Sequence, residues 1–260
     1  MIDMNFIKDF FPIQIRDNPE LRIHMLKEYI QCQILEFISN SPFSKKMAFI
    51  GGTYLRLAKH IQRFSEDIDF DCKNMSQAEF IAMTDSILRF LENSGYHAVL
   101  KEREHDNLSA FRRSIYFPEL LFSLGLSGYR NARFLIKVEM QDQGIIYDPV
   151  LAFIQCCGFY FPIPAPPDDI LCSMKLSALL NRGKGRDFYD AMFLLAQNKP
   201  NYGYLTGKLN IHNEDELKEA ILDFLPKINL AEKQKDFEHL LISQEDSRKI
   251  LHFPSFIASL

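Results

Sequence analysis

The chain has 260 residues, 47% of them hydrophobic and 25% charged, with a formal net charge of −4 at pH 7. That is an ordinary globular balance and supplies apolar matter for one large core or two modest ones. It also argues against a surface coated with positive charge for indiscriminate nucleic-acid binding, and no apolar run approaches the length of a membrane span.

The five cysteines are odd in number and lack a CxxC pair, so they read as small buried hydrophobes of a reducing compartment. No basic region precedes an apolar stretch near the start, and the expectation is a cytoplasmic protein without membrane attachment.

Residues 20–39 place Leu21, Leu26, Ile30, Ile34, Leu35 and Ile38 at a helical period, and Asn40-Ser41-Pro42 ends the helix. A strand over residues 47–50 then runs into Gly51 and Gly52, and Tyr54, Leu55, Leu57 and Ala58 predict a short amphipathic helix. After Arg63 and Ser65, acids and hydrophobes alternate. A strand here points Asp67, Asp69 and Asp71 to one face and Ile68 and Phe70 to the other. Like charges on one face repel, and Asp is disfavoured in strands. A divalent cation held between the carboxylates removes the conflict, and hard oxygen ligands suit Mg²⁺. A Gly-Gly turn between strand and helix lets backbone N–H groups approach a phosphate. Taken singly these are a tight turn and a solvated acidic edge; together they suggest a phosphate cradle beside a metal site.

Ser76 with Glu79 three residues on predicts a capping box opening a helix through about residue 92. Residues 96–100, 110–117 and 133–141 read as strands, and residues 120–126 fit either class. Glu139 is an acid inside an apolar strand. By itself it reads as an edge residue paired with Lys137; beside the acidic strand it becomes a third carboxylate. The proline-rich residues 161–167 read as an extended linker rather than a central strand, which divides the chain into an α/β domain (1–161) and a helical domain (162–260).

In the helical part, Asp168 and Asp169 cap a helix to about residue 181 that carries Lys175 and Arg182 on one stripe. Gly183 and Gly185 interrupt it, and residues 186–197 resume a helix on which Asp187 and Asp190 share a face. On their own these residues read as a solvated lysine and local salt bridges to Arg182, Lys184 and Arg186. Asn213 and Glu216 open a further helix that ends before Pro226.

The arrangement of two glycines, a short helix and Arg63-x-Ser65-x-Asp67-x-Asp69 resembles motif I of the nucleotidyltransferase superfamily, and most of all its AbiEii-type branch, which includes toxins of bacterial toxin–antitoxin pairs. KLSALLNRGKGRDFYDAMFLL, beginning at Lys175, is similar to that family's second signature. The resemblance implies an α+β nucleotidyltransferase fold, a mixed sheet with flanking helices, followed by a helical bundle. It implies Asp67 and Asp69 as metal ligands, with Glu139 completing the site or acting as general base. Gly51, Gly52, Thr53 and Ser65 would hold triphosphate oxygens, with Arg63 on phosphate or anchoring the acidic strand. Lys175 would neutralise the triphosphate, and Asp187 and Asp190 would orient Lys175 or the nucleophile near the bound nucleotide. The implied cofactor is Mg²⁺ or Mn²⁺, the substrate a nucleoside triphosphate, the acceptor tRNA or a protein, and the partner an antitoxin. Asp71 departs from the two-acid pattern and is expected to be a bystander.

Other readings are weaker. An EF-hand loop beginning at Asp67 has Cys72 where Gly is needed and Ala78 where Glu is needed. No His or Cys pair has zinc-ligand spacing, and His97 and His105 read as solvated. From Lys101 to Lys137, Lys101, Arg103, Arg112, Arg113, Arg130, Arg133 and Lys137 outnumber Glu102, Glu104, Asp106 and Glu119, so this stretch, with Lys45, Lys46, Arg56 and Lys59, is a candidate acceptor groove; scattered surface charge explains it equally. The alternatives to a nucleotidyltransferase are a non-catalytic nucleotide- or antitoxin-binding module and a phosphotransferase on the same scaffold.

Overall fold

The computed structural model describes residues 3–101 and 110–260. Two compact units emerge, and neither is one contiguous block: the first holds Met1–His60, Phe64–Gly144 and Pro149–Ala165, the second Ile61–Arg63, Ile145–Asp148 and Pro166–Leu260.

The first unit begins with α1 (Met4–Lys8), α2 (Ile13–Arg16) and the long α3 (Arg22–Ser39). Met25, Leu26, Ile30, Ile34, Leu35 and Ile38 of α3 are all buried, as their helical period requires. Next come β1 (Met47–Ile50), α4 (Gly51–Ala58), β2 (Asp67–Cys72) and α5 (Gln77–Asn93). The expected capping box opens α5, with Ser76 accepting from the Glu79 N–H and Glu79 accepting from the Ser76 N–H. Then follow β3 (Val99–Lys101), β4 (Phe111–Tyr116), the short α6 (Leu120–Ser123) and β5 (Leu135–Gln141). The sheet order is β1-β2-β5-β4-β3, with β2 and β5 parallel and the other pairs antiparallel. Ile68, Phe70, Ile136, Val138 and Met140 are buried on one sheet face, so the opposite residues of the same strands, the acids among them, face the other way.

β6 (Val150–Cys156) and β7 (Phe159–Ala165) form a separate antiparallel hairpin. This corrects the linker reading of residues 161–167. Pro162 and Pro164 are two apart, so their missing N–H groups fall on the same edge of the strand, and Ile163 between them still pairs with Ala152 of β6. The hairpin packs on α3, and Cys32 of α3 is joined to Cys156 by a disulfide. That overturns the reading of all five cysteines as unpaired: helix period and strand pairing bring together two sulfurs that lie 124 residues apart. Cys72, Cys157 and Cys172 are buried thiols, and burial pushes Cys72 up to about 11 and Cys172 up to about 12. Reduction should lower stability by about 2–5 kcal/mol, since the bridge closes a long loop. Thermal unfolding with and without a thiol reductant, beside a Cys32→Ala control that ought to be indifferent to it, measures this.

The second unit is helical: α7 (Asp168–Arg182), α8 (Gly185–Leu195), α9 (Tyr202–Leu209), α10 (Glu214–Phe224), α11 (Leu230–Lys235) and α12 (Phe253–Ala258). Leu171, Leu176, Leu179, Phe188, Leu194 and Phe253 form its core, with the Phe188 and Phe253 rings edge to face at 5.0 Å. The segment 61–63 is sewn to it by a bridge between Arg63 and Leu241. Asn213 caps α10 by accepting from the Glu216 N–H, as the sequence predicts. No helix among the described residues is long and apolar enough to cross a membrane.

Candidate active site

The parallel pairing of β2 with β5 puts Asp69 opposite Glu139 and Asp67 opposite Lys137. Glu139 in turn faces Arg112 on β4, and Asp69 faces Ile50 on β1. Residues opposed across a ladder project to the same side. One sheet face therefore carries Asp67, Asp69, Glu139, Lys137 and Arg112 side by side. The charges are interleaved: Lys137 Nζ lies 3.3 Å from Asp67, and Arg112 Nε lies 2.7 Å from Glu139. β5 sits mid-sheet, so Glu139 is no edge residue, and its ion partner is Arg112 rather than Lys137. Asp71 is buried, accepts a hydrogen bond from the Gln143 N–H at 2.9 Å and braces that loop.

The glycine turn abuts these acids. Gly51 has φ +82°, and a Cβ built on it would stand 2.2 Å from Oδ2 of Asp69. Only glycine permits both that backbone angle and that approach. Ile50, which precedes α4, makes no side-chain cap, so the first N–H groups of α4 receive no hydrogen bond from it. Thr53 is buried and its hydroxyl donates to the Asp67 carbonyl, which ties α4 to the start of β2. Ser65 is also buried, and its carbonyl accepts from Gln31 Nε2 at 3.3 Å.

In the helical unit, Asp190 is the hub. It is fully buried and takes a two-pronged ion pair from Arg63, Nε to Oδ1 and a terminal nitrogen to Oδ2, both at 2.7 Å; Lys175 Nζ reaches Oδ2 at 2.8 Å. Burial by itself would raise the Asp190 carboxyl, but the charges and hydrogen bonds of Arg63 and Lys175 outweigh it and hold the group well below the ordinary carboxylate range. Asp187, also buried, is gripped by Arg182 at 2.7 and 2.8 Å and accepts from the Lys184 N–H at the head of α8. The carboxylate that orients Lys175 is thus Asp190, while Asp187 fixes the α7–α8 corner. Arg63 holds Asp190, a pairing across 127 residues that no local pattern in the sequence signals.

The basic side chains read as an acceptor groove are largely matched with neighbours. Arg113 pairs with Asp85, Arg130 with Glu119, Lys46 with Glu79 and Arg56 with Glu28, while Lys101 lies over the Tyr116 ring. Glu102, Arg103, Glu104, His105 and Asp106 lie outside the described residues.

The profile of the family described as "Nucleotidyl transferase AbiEii toxin, Type IV TA system" matches residues 33–252, most of the chain and both signatures. The chain belongs to the AbiEii nucleotidyltransferase toxin family. Among solved structures, it is similar to MenT4, a nucleotidyltransferase toxin from Mycobacterium tuberculosis, at a TM-score of 0.60 and 15% identity over 100% of this chain and 91% of that one. It is also similar to JHP933 from Helicobacter pylori, at a TM-score of 0.53 and 17% identity over 91% of this chain and 90% of that one. At such identities the likeness establishes the nucleotidyltransferase fold. No curated protein matches the sequence.

A divalent cation goes with this fold family, and the donors on the sheet face suit one in kind: three carboxylates, hard and anionic. Among the described residues no three His, Cys, Asp or Glu side chains are drawn together closely enough to enclose an ion. Lys137 and Arg112 stand where a cation's charge would otherwise be needed, on Asp67 and Glu139.

Proposed function

We propose that this AbiEii-family chain transfers a nucleoside monophosphate from a nucleoside triphosphate to a macromolecular acceptor, tRNA or protein, as the toxin of a toxin–antitoxin pair. One observation carries the reading: the Gly51 turn lies against Asp69, and Asp69 lies in register with Glu139 on the neighbouring strand. A turn with approachable N–H groups and adjacent carboxylates is the pairing that nucleotide transfer requires.

In this reading Asp67 and Asp69 hold Mg²⁺ or Mn²⁺, with Glu139 as third ligand or general base. When bound, the cation supplies charge neutralisation for the attacking and leaving oxygens. Gly51 and Gly52 offer backbone N–H groups to phosphate oxygens, and Thr53 and Ser65 set the geometry around them. Lys175, steadied by Asp190, serves as counter-charge to the triphosphate. Asp187 and Arg63 act as positioning residues, the first through the α8 corner and the second through Asp190. An acceptor hydroxyl attacks the α-phosphorus, the bond to the bridging oxygen breaks, and pyrophosphate leaves with the electron pair. The hydroxyl proton passes to Glu139 or to solvent. Catalysis is then chiefly positioning and charge neutralisation. The helical half (162–260) is proposed as the domain that carries the lysine and RDxxD motifs.

The ion pairs of Lys137 with Asp67 and Arg112 with Glu139 favour a second reading, nucleotide or antitoxin binding without turnover. One experiment separates them. Purified protein with Mg²⁺ is incubated with each α-labelled nucleoside triphosphate and bulk tRNA, beside Asp69→Ala. Label transfer that falls at least about a hundredfold in the variant is the expected result, as for loss of a principal transition-state contact. Bound nucleotide with no label on tRNA or on the protein itself would favour the second reading, and label reaching an acceptor from a parallel γ-labelled triphosphate but not from the α-labelled one would indicate a phosphotransferase.

A further inference from the structure

Away from the acidic sheet face, α1, the start of α3 and the turn after α6 frame a cavity of about 510 Å³, within the range of small-molecule sites. Its wall is mixed. Lys8 ends α1 and Arg22 begins α3, and both line it; Ser123 at the end of α6 and Leu124 and Leu126 of the turn after it complete the wall. The one acid on the wall, Asp3, already caps α1 by accepting from the Asn5 N–H at 2.8 Å.

The cations of this unit fall into two sets, and Lys8 and Arg22 share theirs with Lys45, Arg89 and Arg133, which meet no carboxylate among the described residues. Lys27, Lys46, Arg56, Arg112, Arg113 and Lys137 each meet a carboxylate. The side chains of Lys8 and Arg22 meet none among the described residues, and Nε of Arg22 is buried with no hydrogen-bond partner there. A buried guanidinium N–H without an acceptor costs about 1–3 kcal/mol or more, and folded proteins keep few of them. Two unmatched positive charges on the wall of one cavity, beside leucines, describe a receptor for an anion with an apolar part. The family match begins at residue 33, so Lys8 and Arg22 precede it, while the wall from Ser123 to Leu126 lies within it and outside both signatures.

We propose that this cavity binds a small organic anion, whose phosphate or carboxylate head is held by Arg22 and Lys8 and whose apolar part rests against Leu124 and Leu126. This assignment does not depend on the transferase reading.

The test is calorimetric titration of the full chain with phenyl phosphate, benzoate and inorganic phosphate, together with thermal unfolding. Phenyl phosphate or benzoate should bind saturably at millimolar or tighter Kd and raise the Tm. The tighter of the two identifies the head group, and inorganic phosphate should bind about tenfold more weakly for want of the apolar contact. Arg22→Leu and Lys8→Leu should each weaken binding by about tenfold or more. Arg22→Leu should leave the ligand-free Tm unchanged or higher, because its Nε has no partner to lose. If Arg22→Leu fails to fold, Lys8→Leu, at a partly exposed helix end, carries the test. Absence of saturable binding by all three probes overturns the proposal, as does undiminished binding in Lys8→Leu. Loss of binding in Asp69→Ala also overturns it, since that would place the probe on the acidic sheet face.

Discussion

Asp190→Asn should destabilise the protein by about 3–5 kcal/mol, a fall in Tm on the order of 10 °C, because it leaves two buried cations without their shared anion. Arg63 and Asp190 are both almost wholly buried, and Lys175 is nearly so. Water therefore cannot substitute for the lost carboxylate. Arg63→Met made in the Asp190→Asn background should cost much less than it does in the parent, since the two groups act as one unit. Urea unfolding of the four proteins in that cycle measures the coupling, and additive losses would contradict it.

The same carboxyl sets an acid-side pH dependence. Its pKa is depressed in the folded state, so between that value and the ordinary carboxylate value of about 3.9 the unfolded chain binds a proton that the folded chain does not. The contribution is complete above roughly pH 5 and drains away as pH falls through the folded pKa. Asp190→Asn should flatten that part of the stability–pH curve. A slope in the variant equal to the parent's would show that other groups dominate it.

The second large effect is expected at Gly51. Gly51→Ala forces a methyl group to within 2.2 Å of the Asp69 carboxylate and places a side chain at φ +82°. The expected cost is about 1–3 kcal/mol of stability. On the proposed mechanism transfer should fall about a hundredfold, because displacing the Asp69 carboxylate by an ångström would misplace the reacting atoms. Gly95→Ala separates the two causes: Gly95 has φ +88°, but its added Cβ meets nothing within 4 Å. It should show a backbone cost of about 1 kcal/mol with transfer intact. In an Asp69→Gly background, Gly51→Ala should cost little more than Gly95→Ala does. A full-sized cost there would mean that the clash with Asp69 is not the cause.

Local patterns were readable where one short interaction decides the outcome. The helical period of α3, the Ser76–Glu79 capping box and the Asn213 cap each involve groups within a few residues of one another, and all three appear as expected. The alternation from Asp67 to Asp71 also carried through, because a strand has only two faces. β6 was missed: its first five residues, Val150 to Ile154, are continuously apolar, a pattern shared by strands and buried helices, and the prolines that follow argued for a linker. The Cys157-Gly158 turn, with both residues at positive φ, was the available hairpin signal between two apolar runs.

Ion-pair partners were the least legible. Arg182 and Lys184 lie close enough in sequence to Asp187 for their contacts to be anticipated. Nothing local distinguishes Arg63 as the counter-ion of Asp190, or Arg112 rather than Lys137 as that of Glu139. Strand order and register choose between neighbours that have equal charge and similar reach.

By itself the sequence determined which residue types are available and on which face of each helix or strand they lie, and hence the family. Those depend on a repeat of two or of 3.6 residues and on short spacings, which the covalent chain imposes directly. The tertiary structure decided which faces meet: Asp69 beside Glu139, Asp190 between Arg63 and Lys175, Cys32 against Cys156. The physical reason is that such contacts join segments tens of residues apart, and they form because burying the apolar faces of sheet and helices permits few alignments.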